Sequence, residues 1–122
     1  MTWVFDEKSP IYLQLMEYLK KQIMSGELQG GQKILSVREL AKLAGVNPNT
    51  MQKALSELER EKLIYSERTA GRFVTKDIEL IEQKRKDLAR KYMEEFISSL
   101  RGLGYTKEQI KALMDDLFEG GK

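Results

Sequence analysis

The chain is 122 residues long, carries a formal net charge of +2 and is 41% hydrophobic. That is enough for one compact core with a helical appendage, and it leaves no length for a separate enzyme domain. Cysteine and histidine are absent, which removes the thiolate nucleophile, the usual general base at neutral pH and the two commonest soft metal ligands.

Catalysis would then fall to carboxylates, lysine or hydroxyls. The adjacent pairs Glu94-Glu95 and Asp115-Asp116 diverge around a helix instead of converging on one site, so they read as a solvated face. No metal or cofactor is expected. No apolar run approaches the ~20 residues that cross a bilayer, and the start of the chain is acidic where a leader would be basic. A cytoplasmic location is the expectation.

Trp3, Val4 and Phe5 form an apolar start, read as a short strand, a clasp on a partner subunit, or a frayed end. Pro10 then opens a helix with a stripe at Ile11, Leu15, Tyr18, Leu19 and Ile23, ending near Ser25-Gly26. This helix should buttress the two that follow. Gly30-Gly31 invites a phosphate-loop reading, which fails for want of the lysine and hydroxyl residue that hold nucleotide and metal.

Ser36 and Glu39 have the spacing of a capping box, and Val37, Leu40, Ala41 and Ala44 repeat at helical spacing after them. Gly45 is a stop, Val46 an apolar plug, and Asn47-Pro48 an N-cap followed by proline at the first helical position. In the second helix Met51, Ala54, Leu55 and Leu58 share one face, leaving Asn49, Gln52, Lys53 and Ser56 outside it. Amides suit base edges, since each carries a donor and an acceptor in one plane and can bond adenine twice in the major groove.

Lys62 to Glu67 reads as a strand, Arg68-Thr69-Ala70-Gly71 as its turn and Arg72 to Thr75 as the returning strand. Arg68, Thr69 and Arg72 around Gly71 make a tip suited to the sugar-phosphate backbone or the minor groove. Two helices, a tight turn and a ribbon in this order make a winged helix-turn-helix. The charge agrees with it. Residues 33–53 hold Lys33, Arg38, Lys42 and Lys53 against Glu39, and the ribbon holds Lys62, Arg68 and Arg72 against Glu67, while residues 77–122 are slightly acidic.

From Asp77 to about Arg101 a long charged helix carries a stripe at Ile81, Leu88, Tyr92, Phe96 and Leu100. Thr106 and Gln109 form a second capping box, and Ile110, Leu113, Met114, Leu117 and Phe118 give the next helix an apolar face. A stripe about 37 Å long outruns one following helix. The expected architecture is mainly α with a small β-hairpin: a winged helix-turn-helix domain over residues 1–76 and a two-helix tail over 77–122. Ile81, Leu88, Tyr92, Phe96, Leu100, Ile110, Leu113 and Leu117 would meet the same surface of a second chain in a two-fold homodimer.

The segments SPIYLQLMEYLKKQIMSGEL, SVRELAKLAGVNPNTMQKALSELEREKLI and AGRFV together resemble the GntR family of bacterial transcriptional regulators over roughly residues 9 to 76. VNPNTMQKA, joined to the tail FISSLRGLGYTKEQIKALMDDL, is similar to the YtrA-type branch, whose members lack a large ligand-binding domain. Two departures stand out: Gly30-Gly31 replaces the family's proline-glycine, and Leu35 replaces the proline before the capping serine. The loop is expected to be looser than the family's.

The resemblance implies a dimer on an inverted-repeat operator, with half-sites ~10 base pairs apart or slightly more. It carries Arg38, Asn49, Thr50 and the glycine-bearing tip most directly. On this reading Asn49, Gln52 and Lys53 approach base edges, Ser36, Asn47 and Thr50 fix the helix starts on phosphates, and Arg38 reaches the groove from the preceding helix. Pro48 and Gln52 stand where much of the family has arginine or serine, so the operator cannot be copied from relatives. The implied role is repression of a short, transporter-type operon. An effector is not identified by the sequence; the tail has little volume for a pocket of several hundred Å³, which leaves the dimer cleft for one.

The alternative is a winged-helix protein-interaction module without specific DNA readout. An RNA role would need stacking aromatics on the exposed helix face, and Asn49, Gln52, Lys53 and Ser56 supply none.

Overall fold

The computed structural model describes residues 3–120. Five helices and one β-ribbon follow in the order α1 (Ile11–Met24), α2 (Val37–Ala44), α3 (Pro48–Arg60), β1 (Ile64–Glu67), β2 (Gly71–Val74), α4 (Ile78–Gly102) and α5 (Lys107–Gly120). The chain divides into two compact units, one ending at Gln83 and the other beginning at Lys84. The first turns of α4 belong with the winged unit because Ile81 packs against its core.

In the winged unit, α1 and α2 both pack on α3. Leu15, Leu19, Met51, Leu55, Leu58, Leu63, Ile64 and Val74 are fully buried there, each contributing roughly 1.5–3 kcal/mol by leaving water. The helix ends follow from local chemistry. Ser36 Oγ accepts from the Glu39 N–H (3.2 Å), and Glu39 Oε1 accepts from the Ser36 N–H (3.1 Å), closing the capping box at the start of α2. The Ser36 backbone N–H, and after it the Ser36 hydroxyl, hold the Glu39 carboxyl below its ordinary value. Gly45 ends α2 at φ +70°, a left-handed conformation that costs a side-chain-bearing residue energy. Asn47 Oδ1 accepts from the Asn49 N–H (2.7 Å), and Pro48 opens α3. The expected turn between the two helices is present, with Val46 half-buried against the core.

The ribbon differs in extent from the sequence reading. Lys62 sits at φ +65° and Leu63 donates its N–H to Leu58 O (3.1 Å), so both finish α3 and the strand starts at Ile64. Strand β2 starts one residue early, since Gly71 pairs with Glu67. The preceding loop is tighter than expected. Gly31 N–H donates to Val74 O (2.8 Å), Val74 N–H to Gln32 O (2.9 Å) and Ile34 N–H to Arg72 O (2.9 Å), with Lys33 bridged to Phe73. Backbone pairing along the β2 edge fixes this loop without the family's prolines.

The N-terminal segment clasps its own chain. Tyr18 Oη donates to Val4 O and accepts from the Val4 N–H (2.8 Å), while the Trp3 and Phe5 rings lie 5.1 and 5.8 Å from the Tyr18 ring. The Gln14 amide accepts from the Asp6 N–H and donates to the Asp6 and Ser9 carbonyls. The strand and the frayed end are both set aside for residues 3–9.

In the second unit, the helix-to-helix turn closes through Gly104 N–H to Arg101 O (2.9 Å), and Thr106 and Gln109 form the expected capping box. Ile110 is buried there, whereas Phe96, Leu113, Leu117 and Phe118 are exposed, the last two by 72% and 75%. Leu88, Tyr92, Ile97, Leu100 and Met114 are half-buried.

Candidate nucleic-acid interface

The apolar face of α3 is committed to the core through Met51, Ala54, Leu55 and Leu58, so the helix can offer only its polar side outward. Asn49, Gln52, Lys53 and Ser56 are exposed there. Gln52 Nε2 donates to Ser56 Oγ (3.2 Å), one turn along. The Lys53 ammonium lies 3.9 Å from the centroid of the Tyr12 ring. That contact orients the lysine and is worth about 0.5–1 kcal/mol at an exposed site. Thr50 is half-buried, while Ser36 and Asn47 are exposed beside the helix starts they cap, as is Arg38 in the first turn of α2.

At the ribbon turn Arg68 and Thr69 are exposed, and Gly71 takes φ +108°. A Cβ on Gly71 would come within 3.2 Å of Lys33 Cε. Lys33, which sequence reasoning counted only as charge, therefore stands beside the tip. Arg72 is placed differently from Arg68: its guanidinium Nε pairs with Glu59 Oε1 on α3, and its side chain is 21% exposed. Burial alone would raise the Glu59 carboxyl, but the Ser66 hydroxyl and Arg72 outweigh it, leaving the group below its ordinary value.

The arrangement brings together an amide-rich helix face and a basic loop held on one rigid core. Sequence reasoning missed Tyr12 and Glu59. Tyr12 falls beside the apolar stripe of α1, and Glu59 is 13 residues from its arginine, a separation with no periodic signature. Among the described residues no group of histidine, cysteine or carboxylates is placed to hold a metal ion, and no helix is long and apolar enough to cross a membrane.

Residues 11–74 match the family of bacterial regulatory proteins called gntR. The chain is 35% identical over 117 residues to YhcF, an uncharacterized HTH-type transcriptional regulator of Bacillus subtilis strain 168, covering 96% of this chain and 97% of the relative. It is 33% identical over 120 residues to the HTH-type transcriptional repressor YtrA of the same organism, covering 93% and 91%. A solved GntR family transcriptional regulator from Listeria monocytogenes superposes with a TM-score of 0.85 at 43% identity, over 92% of this chain and 98% of that one. The AraR DNA-binding domain in complex with an operator superposes with a TM-score of 0.54 at 31% identity, over 62% and 90%. With the family match covering more than half its length and the winged architecture common to these structures, the chain belongs to the GntR family of bacterial transcriptional regulators.

Proposed function

We propose that the chain is a sequence-specific double-stranded DNA-binding regulator, acting in the cytoplasm as a homodimeric repressor of a small transporter-type operon. The observation that carries this reading is the polar face of α3, with Asn49, Gln52 and Lys53 exposed opposite a fully buried face. The repressor YtrA and the AraR–operator complex support it by likeness. The relatives are transcriptional regulators, not enzymes.

In this reading α3 enters the major groove, with Asn49 and Gln52 on base edges and Lys53, steadied by Tyr12, beside them. Ser36, Asn47 and Thr50 set the helix starts on phosphates, Arg38 reaches the groove, and Arg68, Thr69 and Gly71 follow the backbone or the minor groove. Apolar residues left open on the tail, Phe96, Leu113 and Leu117, support pairing with a second copy.

Selection from a random duplex pool at moderate salt, followed by titration of the best site against a scrambled one, tests this directly. A two-fold symmetric consensus is expected. Enrichment of no sequence, with affinity following salt alone, would sink specific readout. Arg38→Ala should weaken operator binding by about 1–3 kcal/mol with the fold intact; unchanged affinity would remove Arg38 from the interface.

A further inference from the structure

A polar link between α3 and the ribbon runs through one carboxylate oxygen. Glu59 Oε1, in the last turn of α3, accepts from Ser66 Oγ (2.6 Å) on β1 and from Arg72 Nε on β2. Ser66 and Arg72 are direct partners in the ribbon register, one rung from the Glu67–Gly71 pair that closes on the turn. Apolar burial of Leu63, Ile64 and Val74 holds the root of the ribbon. The Glu59 contacts lie further out, beside the segment that carries Arg68 and Thr69.

We infer that Glu59 is a positioning residue, which fixes the wing on the reading helix and holds Arg72 away from DNA phosphate. The inference rests on the DNA-binding reading above. A wing tied to α3 meets the backbone in the register that α3 sets in the groove, so its ordering is complete before the complex forms. The same tie neutralises a guanidinium that would otherwise add sequence-independent attraction. Loss of Glu59 therefore acts in two opposite directions: specific binding falls because the wing loosens, and non-specific binding rises because a cation is released. A carboxylate with a purely structural role would change stability and leave the ratio of the two affinities alone.

The test compares the full-length chain with Glu59→Gln, and with the exchange Glu59→Arg plus Arg72→Glu, on the selected operator and on a scrambled duplex across a salt series. Glu59→Gln should lower operator affinity by about tenfold, within the range of couplings between members of one hydrogen-bonded network. It should also bind the scrambled duplex more tightly, with a log–log salt slope steeper by about 0.9, as one further phosphate contact requires. The exchange should restore most of the operator-to-scrambled ratio. Thermal unfolding of each variant separates loss of fold from loss of position. Equal weakening on both duplexes, or no recovery in the exchange, overturns the inference for Glu59 alone. A native chain that discriminates between no duplexes overturns the DNA reading and the inference with it.

Discussion

The winged unit and the tail solve the problem of apolar surface in opposite ways. In the first, α1, α2, α3 and the ribbon bury their large side chains against one another, with Leu55, Leu58 and Leu63 fully enclosed. In the second, only Ile110 is buried among the described residues, and Leu117 and Phe118 stay open to water. The lesson is one of self-sufficiency: the reading head carries its own core, whereas the tail has more apolar surface than its two helices cover. Ile81 and Ile110, both assigned to the dimer stripe from sequence, are already packed within their own units, which moves the weight of any pairing surface onto Phe96, Leu113 and Leu117.

The largest expected effect breaks the winged unit alone. Leu58→Ala should cost about 2–5 kcal/mol in denaturant unfolding, through lost burial and a cavity in a dense core. A loss under about 1 kcal/mol would mean that this core is looser than its burial indicates. Next, Phe96→Glu combined with Leu117→Glu should weaken self-association in sedimentation equilibrium by about a hundredfold, some 2.7 kcal/mol, with the melting of the winged unit unchanged. If the native chain sediments as a monomer, the pairing surface is wrong.

Acid gives a smaller, graded effect. Glu39 and Glu59 both have folded pKa values below the ordinary 4.5. Their contribution is fully present above the unfolded value and is lost as pH falls through the folded one. Stability of the winged unit should therefore decline on acidification below that ordinary value, and Glu59→Gln should flatten the decline. A profile identical in the native chain and the variant would remove Glu59 as a source. The smallest change is a gain: Lys62→Gly should stabilise by about 0.5–1 kcal/mol by relieving the left-handed backbone at the end of α3, and a loss in the same unfolding assay would show that the lysine side chain compensates.

Much of the fold was legible because its signals are local. Ser36-Glu39, Gly45 and Asn47-Pro48 each dictate a helix boundary through atoms a few residues away, and the buried faces of α2 and α3 follow from 3.6-residue spacing. The ribbon start was misplaced because Lys62 adopts a conformation that usually selects glycine, so the sequence carried no stop there. The loop over residues 30–34 was expected to be loose because its prolines are missing, yet its order comes from pairing with β2, a partner some 40 residues away. The exposed helix face was readable in the same way as the buried one. The Glu59–Ser66–Arg72 and Lys53–Tyr12 contacts were not, because they depend on how separate elements cross.

The N-terminal clasp has a practical consequence. Trp3 is the only tryptophan in the chain, and it is half-buried, lying on the Tyr18 ring and packed against the edge of the core through the N-terminal segment alone. Intrinsic tryptophan emission therefore reports release of the first few residues, so a fluorescence-detected transition and a circular-dichroism transition need not coincide even when the core unfolds in a single step.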